Sequence, residues 1–175
     1  MSTTTPSASS PIAPSSGDRP GVLLMNLGSP DSPSVPDVRR YLGEFLMDGR
    51  VIDAPWPIRF MIVHGFILPF RPKQSAHAYG QIWTKEGSPL VAMGRRLRDR
   101  VAARLECPVE LCMRYQNPTP RHSLESLQKQ GVNRVVLIPL FPHYAMSSYE
   151  SAVEKVRADI AQFRGMGLDV VPPYF

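Results

Sequence analysis

The sequence predicts an α/β domain with a four-stranded parallel sheet and helices on both faces. Segments in which apolar residues recur at helical spacing separate the predicted strands, and this alternation implies right-handed crossovers between parallel strands. Loops rich in turn, aromatic or hydroxyl residues follow the first three strands, so we expect ligands to collect at the carboxyl edge of the sheet. The predicted strands are the short apolar runs at residues 21–27, 109–115, 135–141 and 168–171.

The composition allows one core of ordinary size. The chain has 175 residues, is 43% hydrophobic and carries a net charge of +5. Its arginines are scattered along predicted helices and no base-reading motif is present, so the charge favours an acidic small ligand or a membrane surface over nucleic acid. The chain shows no secretory signal, and its two cysteines, Cys107 and Cys112, lie just before and within a predicted strand. We therefore expect a reducing, cytoplasmic compartment.

Residues 1–19 differ in composition from the rest of the chain. They are dominated by Ser, Thr and Pro, and they lack both the apolar core of a signal peptide and the basic amphipathic pattern of a transit peptide. We predict that residues 1–19 form a disordered leader and that residues 20–175 form the domain.

The first strand ends at Gly28, and a helix follows it. A glycine lets the backbone turn sharply or lets a flat ligand approach closely, and a plain turn is the interpretation that this residue alone favours. Ser34 or Asp37 is placed to cap the helix. Its predicted buried face carries apolar residues at helical spacing, namely Val38, Tyr41, Leu42, Phe45 and Leu46.

The second half of segment 51–70 is apolar on all sides. A helix of this kind must be covered by protein, by a membrane surface or by a large apolar ligand. A buried core helix is the first interpretation, and the rim of a ligand site or a peripheral membrane contact are the alternatives. The longest apolar run, 60–70, is too short to span a membrane and is interrupted by His64, Gly65 and Pro69.

Two further helices precede the second strand. The first covers residues 71–83, with Ala76, Tyr79 and Ile82 on one side. The second begins near Pro89 and runs to about residue 105. Its inner stripe is predicted to consist of Leu90, Met93, Leu97, Val101 and Leu105.

The second strand ends in Arg114 and Tyr115. A cation and a phenol at the end of a parallel strand would lie at the rim of the crevice, where a carboxylate or phosphate could be held. A structural salt bridge of Arg114 explains the same pattern equally well.

The third strand leads into loop 142–148, and a helix follows this loop. Ser147 or Ser148 could cap the helix. On the loop, His143 could ligate a metal or transfer protons, but a histidine bonded to the backbone is the interpretation that a single residue favours. The predicted buried face of the helix is Ala152, Val153, Val156, Ile160 and Phe163.

Several motifs of other protein classes are absent from the sequence. No Gly-x-Gly-x-x-Gly follows the first strand and no Walker lysine loop occurs, so nucleotide binding has no support. The histidines and cysteines show no His-x-x-x-His or Cys-x-x-Cys spacing, which argues against a closed zinc site.

Four strings in the sequence resemble the amino-terminal half of the ferrochelatase family, whose members insert ferrous iron into a porphyrin in haem synthesis. The strings are LLMNLGSPDSP, IWTKEGSPL, MRYQNPTP and IPLFPHYAMSSYES, and the resemblance covers residues 21–175. It implies a chelatase-like three-layer αβα domain, the first of two similar domains that clamp the macrocycle between them.

The resemblance also implies roles for individual residues. Leu27 would face the porphyrin, and its apolar side chain implies protoporphyrin IX rather than coproporphyrin as the substrate. Arg71, Tyr79 and Ser88 match positions that contact the propionates or the ring, although the spacing between Tyr79 and Ser88 is two residues longer here. The Arg-Tyr pair would line the pocket. Further candidates of lower rank are the crevice-loop residues His143, Tyr144, Ser147 and Ser148.

The metal-inserting residues of the family do not occur in this sequence. The family's histidine lies in a Ser-Ala-His-Ser-Leu-Pro motif and is followed by an acidic partner, and both are expected beyond Phe175. We therefore assign no catalytic residue and no metal ligand, and expect a truncated chain that binds protoporphyrin IX, with ferrous iron as the second substrate. No cofactor is assigned, and an iron–sulfur cluster and the oligomeric state are left open. The alternatives are a small chelatase of the sirohydrochlorin type and a non-catalytic porphyrin-binding module.

Overall fold

The computed structural model describes residues 17–174, and four parallel strands form its sheet. The strands are β1 (Pro20–Gly28), β2 (Val109–Tyr115), β3 (Arg134–Pro139) and β4 (Gly167–Val170). Their order in the sheet is β2-β1-β3-β4, and every neighbouring pair runs parallel. The predicted fold class is confirmed, because each of the four predicted strand segments forms a strand and all neighbouring strands are parallel.

Helices connect the strands. Between β1 and β2 lie α1 (Val35–Leu46), α2 (Trp56–Phe60), the π-helix π1 (Met61–Ile67), α3 (Arg71–Ile82) and α4 (Pro89–Ala102). Helix α5 (Pro120–Lys129) connects β2 to β3. The π-helix π2 (Met146–Glu150) and α6 (Ser151–Ile160) connect β3 to β4.

The two faces of β1 pack into two separate cores, which makes the domain three-layered. Leu23 and Met25 pack with residues of α5 and α6. Val22 and Leu24 point to the opposite face and pack with β2 and residues of α4. The alternation follows from the two-residue period of a strand, so one apolar run can supply both cores.

Of the two caps predicted for α1, Ser34 is the one present, and neither cap predicted for the helix after β3 is present. Ser34 is the N-cap of α1, and its hydroxyl accepts from the Asp37 N–H at 3.3 Å. After β3, the helical segment begins with π2 at Met146, so Ser147 and Ser148 lie inside it and cap nothing. The predicted apolar face of α6 is confirmed, because Ala152, Val153, Val156 and Ile160 are buried and Phe163 packs against them.

The inner stripe predicted for α4 is wrong for three of its five residues, whereas Val101 packs against the core as predicted. Met93 is 58% exposed, and Leu97 and Leu105 are also exposed. The buried face is formed instead by Ala92 and Gly94. A Cβ on Gly94 would lie 2.9 Å from a methyl of Leu111, so small residues allow the helix to lie close to the sheet. Ile82 at the end of α3 is likewise exposed.

A buried core helix is the wrong interpretation of segment 51–70. Within it, Val63 and Leu68 are buried, while Phe66 is 67% exposed. No helix among residues 17–174 has the length and apolar character needed to cross a membrane. The other exposed large apolar residues of the segment are Trp56, Ile58, Phe60, Met61 and Phe70.

Most of the predicted leader lies outside the described residues. Its last residues, 17–19, contact the start of β3. The Arg19 N–H donates to the side-chain oxygen of Asn133 at 2.8 Å, and the Asp18 carboxylate lies 2.9 Å from the Arg134 guanidinium.

Candidate functional site

The carboxyl ends of β1, β2 and β3 meet at one edge of the sheet, as the sequence predicts. Gly28 lies opposite Tyr115 in the parallel register of β1 and β2. The Leu140 N–H, just after β3, donates to the Met25 carbonyl at 2.7 Å. This edge therefore collects Leu27, the Arg114–Tyr115 pair and the start of loop 142–148. It is the candidate site.

Gly28 is required by the packing of the two strands. Its φ is +109°, and a Cβ at this position would lie 2.1 Å from the Tyr115 carbonyl oxygen. The glycine thus allows the close approach of its own neighbouring strand, which the sequence left undecided between a turn and a ligand contact.

The Asp48 carboxylate is the centre of a buried polar cluster at this edge. Its Oδ2 accepts from Nη2 of Arg114 at 2.6 Å, from the Tyr115 hydroxyl at 2.9 Å and from the Ser151 hydroxyl. Its Oδ1 accepts from the Arg50 N–H at 2.9 Å. Of the two interpretations of Arg114, the salt bridge is therefore present, and the side chains of Asp48 and Arg114 are 6% and 15% exposed.

The cluster stabilises the ionised form of Asp48. Burial raises the pKa of this carboxyl, but hydrogen bonds from Ser151, the Arg50 N–H and Tyr115, together with the charge of Arg114, outweigh burial, so the pKa lies below the usual 3.8. Burial raises the pKa of Tyr115 to about 12, so this phenol stays protonated and acts as a donor.

Tyr115 is fully buried, and its ring packs against aromatic residues of α1. Its ring packs edge-on against Phe45 at 5.2 Å and against Tyr41 at 6.4 Å between centroids. Tyr41 in turn packs edge-on against Tyr79 of α3 at 6.2 Å. A row of aromatic rings thus links two of the predicted site residues, Tyr79 and Tyr115, although the two do not lie at one surface.

A second polar contact joins the segment after α1 to the crevice loop. Arg50 lies 3.1 Å from the Glu150 carboxylate, whose other oxygen accepts from the Tyr144 hydroxyl. The hydrogen bonds from Tyr144 and Arg50 hold the pKa of Glu150 below its usual range. Together with the bond between Ser151 and Asp48, this contact holds the two sides of the candidate site together.

The aromatic face consists of the exposed residues Trp56, Phe60, Phe66 and Phe70 of α2, π1 and the turn after them. The Trp56 and Phe60 rings stack at 5.1 Å between centroids. Phe60 stacks on the His64 ring at 4.3 Å. Residues 54–85 include Arg59, Arg71, Lys73 and Lys85 and contain no Asp or Glu, so every charged side chain of this segment is a cation.

The remaining predicted site residues lie in different environments. Leu27 is half-buried at the end of β1, and Arg71 is exposed at the start of α3. Ser88 is buried before α4 and makes no side-chain capping bond. His143 and Tyr144 are exposed, and Ser147 and Ser148 are half-buried in π2. Within residues 17–174, no group of three or more His, Cys, Asp or Glu side chains is placed to hold a metal ion.

A cavity of about 310 Å³ lies beside Arg114. The residues that line it include Glu44, Gln116, Lys155 and Asp159. Sequence reasoning missed this cavity and, more importantly, missed Asp48 and Ser151. The one sequence signal for Asp48 is its position in a polar turn directly after an amphipathic helix, which is a common arrangement on protein surfaces.

Comparisons with known proteins agree with this architecture. A family model described as Ferrochelatase matches residues 19–175. A ferrochelatase of Opitutus terrae is 52% identical over 158 residues, which is 88% of this chain and 46% of the relative. A ferrochelatase of Azotobacter vinelandii is 52% identical over 157 residues, with the same shares covered. A ferrochelatase of Coxiella burnetii is 49% identical over 149 residues, which is 84% of this chain and 42% of the relative.

The chain spans less than half the length of the curated relatives it matches. The family match nevertheless covers almost every described residue, including all four strands of the parallel sheet and the polar cluster around Asp48. On these grounds, the chain belongs to the ferrochelatase family.

Proposed function

We propose that this chain is the amino-terminal, porphyrin-binding part of an enzyme that inserts ferrous iron into protoporphyrin IX to give protohaem. The observation that carries the proposal is the aromatic face beside Arg71, in a segment whose charges are all positive. Protoporphyrin IX is a flat apolar ring with two carboxylates at one edge. The aromatic face matches the apolar ring, and the unpaired cations beside it match the two carboxylates.

Arg71 is the best-placed cation for a propionate. It follows Phe70 directly, is exposed and has no ion-pair partner among residues 17–174. Arg59 is less suited, because its Nη1 donates to the carbonyls of Ile52 and Ala54. We assign ring contact to Leu27 and Tyr79, which keep accessible surface, and a supporting role to the buried Ser88 and Tyr115.

The substrate preference rests on the apolar residue at the end of β1. Leu27 offers no hydroxyl or carboxylate to a metal or to extra propionates, so we propose protoporphyrin IX rather than coproporphyrin as the porphyrin.

The reaction itself needs groups that we place beyond residue 175. Iron enters the ring when the two pyrrole N–H protons leave, so one ferrous ion replaces two protons and the macrocycle must pucker to expose its nitrogens. A rigid wall that binds the puckered ring better than the flat ring lowers the activation barrier of metal insertion. We propose that this chain supplies that wall, and that a histidine and a carboxylate outside it accept the protons.

A non-catalytic porphyrin-binding module is the second candidate. It predicts binding of the porphyrin without insertion of the metal. A sirohydrochlorin-type chelatase is less well supported, because a ligand with eight carboxylates would need more free cations than the exposed Arg71, Lys73 and Lys85 of this segment provide.

We also propose that the chain works in the cytoplasm and touches a membrane surface without crossing it. Aromatic side chains flanked only by cations suit the headgroup region of an anionic bilayer. The two cysteines are free, as expected of a reducing compartment.

Binding of protoporphyrin IX and of its dimethyl ester, followed by the change in porphyrin absorbance, tests the proposal. We expect saturable binding of the free acid, and Arg71→Ala should weaken it roughly tenfold while leaving ester binding unchanged. Arg95 is an exposed arginine on α4, and Arg95→Ala is the matched control. It should change neither the affinity for the free acid nor the affinity for the ester. Equal affinity of the two ligands, or equal loss in both arginine variants, would contradict the assignment of Arg71.

A further inference from the structure

We infer that Asp48 is a positioning residue that orders the Arg114 guanidinium for an acidic group of the ligand; this inference rests on the proposed function. Arginine is long and flexible, so an unrestrained Arg114 at the end of β2 would lose side-chain entropy when it bound a carboxylate. The structure removes much of that cost beforehand by fixing the side chain at several points.

The restraints on Arg114 come from three directions. Its Nη2 donates to Asp48 at 2.6 Å, and its Nε donates to the Ser151 hydroxyl at 2.7 Å. Its central carbon lies over the Tyr115 ring, 4.3 Å from the centroid. Asp48 also holds the other two partners, because Tyr115 and Ser151 donate to the same carboxylate oxygen.

This arrangement leaves one edge of the guanidinium available. Among the described residues, Nη1 of Arg114 has no hydrogen-bond partner, and the side chain lines the cavity of about 310 Å³. The cavity is also lined by Glu44, Lys155 and Asp159. The Asp159 carboxylate is held by Lys155 at 2.7 Å. Arg114 therefore presents a cation of fixed orientation next to space that an acidic group can enter.

The position of Asp48 gives it a second effect on the same site. It lies directly after α1, and Ser151 begins α6, 103 residues further along the chain. Their contact fixes the turn after α1 against the start of α6. Arg114 lies between these two segments, so loss of Asp48 would release the guanidinium and one wall of its surroundings together.

A double-mutant cycle on the full chain tests the inference. We expect Asp48→Ala to weaken protoporphyrin IX binding roughly tenfold in the wild-type background and by clearly less in an Arg114→Ala background, where only the contact of Asp48 with Ser151 is left to lose. Asp169→Asn, which disturbs the ion pair with Arg134 at the start of β3, is the control. It should leave the porphyrin affinity unchanged in both backgrounds. The same loss in both backgrounds would mean that Asp48 acts independently of Arg114, and would overturn the inference.

A ligand-free measurement separates this inference from the proposed function. In protein labelled with ¹⁵N, the Nε–H of Arg114 should give a resonance protected from exchange, and Asp48→Ala should abolish that protection. Ser151→Ala removes one acceptor and keeps the carboxylate, so it should reduce protection even where Asp48→Ala does not fold. Protection that survives in Asp48→Ala would overturn the positioning role, whatever Ser151→Ala shows, because Ser151 is the direct acceptor of the Nε–H. A chain that shows the protection but binds no porphyrin would overturn the proposed function alone.

Discussion

Nη2 of Arg114 lies 2.6 Å from the Asp48 carboxylate, and both side chains are largely withdrawn from water. Removing one partner of such a pair leaves the other charge buried without compensation. We therefore expect Asp48→Ala to lower the free energy of unfolding by about 3 kcal/mol, measured by urea denaturation. Arg98→Ala, which breaks an exposed pair with Asp99, should cost less than about 1 kcal/mol. Similar losses in the two variants would contradict the importance of the buried cluster.

The same cluster makes stability depend on pH. The pKa of Asp48 is lower in the folded chain than the usual 3.8, so its contribution is complete above that value and is lost as the pH falls through the folded pKa. Unfolding measured between neutral pH and pH 3 should show a shallower acid loss in Asp48→Asn than in the wild type. Parallel curves for the two proteins would show that Asp48 is not held in its ionised form.

Gly28 tests the packing of β1 against β2. A Cβ at its φ of +109° would overlap the Tyr115 carbonyl, so Gly28→Ala should destabilise the chain by about 3 kcal/mol or more. Gly80→Ala is the matched control, because nothing lies within 4 Å of a Cβ there and alanine favours the interior of α3. It should be neutral or stabilising by about 1 kcal/mol. A tolerated Gly28→Ala would contradict the close approach.

The buried face of α4 can be tested with neighbouring residues. Gly94→Val places atoms against the Leu111 side chain and should cost about 2 kcal/mol. Met93→Ala, at a position 58% exposed, should change the free energy of unfolding by less than about 0.5 kcal/mol. Thermal or urea denaturation distinguishes this face from the stripe of large apolar residues that the sequence predicts. If Met93→Ala destabilised the chain and Gly94→Val did not, the predicted stripe of large apolar residues would be the buried face of α4 after all.

The aromatic face should bind anionic vesicles. Phe66 and Phe70 are 67% and 75% exposed, so changing both to Ser should leave stability unaltered and weaken vesicle binding at least roughly tenfold. Co-sedimentation with phosphatidylserine-containing and with neutral phosphatidylcholine vesicles gives the measurement, and Met93→Ser on α4 is the control. Equal binding to both kinds of vesicle, or no effect of the double change, would contradict the proposed contact.

The strands could be predicted from sequence because each is a short apolar run with a clear end. The same holds for α1, whose cap Ser34 and inner residues Val38 and Tyr41 follow local rules. Local patterns carry this information, since strand and helix periodicity depend on neighbours in sequence.

The polar cluster could not be predicted, because its contacts are not local. Asp48 bonds Arg114, Tyr115 and Ser151, which lie 66, 67 and 103 residues away. Which arginine meets which carboxylate depends on how α1 and α6 pack around the sheet. Sequence reasoning found Arg114 and Tyr115 at the strand end, but could not supply the carboxylate that holds both.

The faces of α4 and π1 were mispredicted for a different physical reason. Hydrophobicity predicts burial, yet Gly94 lies against the sheet because it is small, and Met93 is displaced to the surface. Exposed apolar residues such as Phe66 are characteristic of binding surfaces, and composition alone does not distinguish them from core residues.

The most direct test of the central proposal is a fluorescence titration of the full chain with protoporphyrin IX, followed by anaerobic addition of ferrous or zinc ion. We predict saturable binding that is weakened by Arg114→Ala, with metalloporphyrin forming no faster than in the absence of protein. That result would support a ferrochelatase part that binds the porphyrin and lacks the metal-inserting residues. No saturable binding, or metalloporphyrin formed at a catalysed rate by this chain alone, would contradict the account.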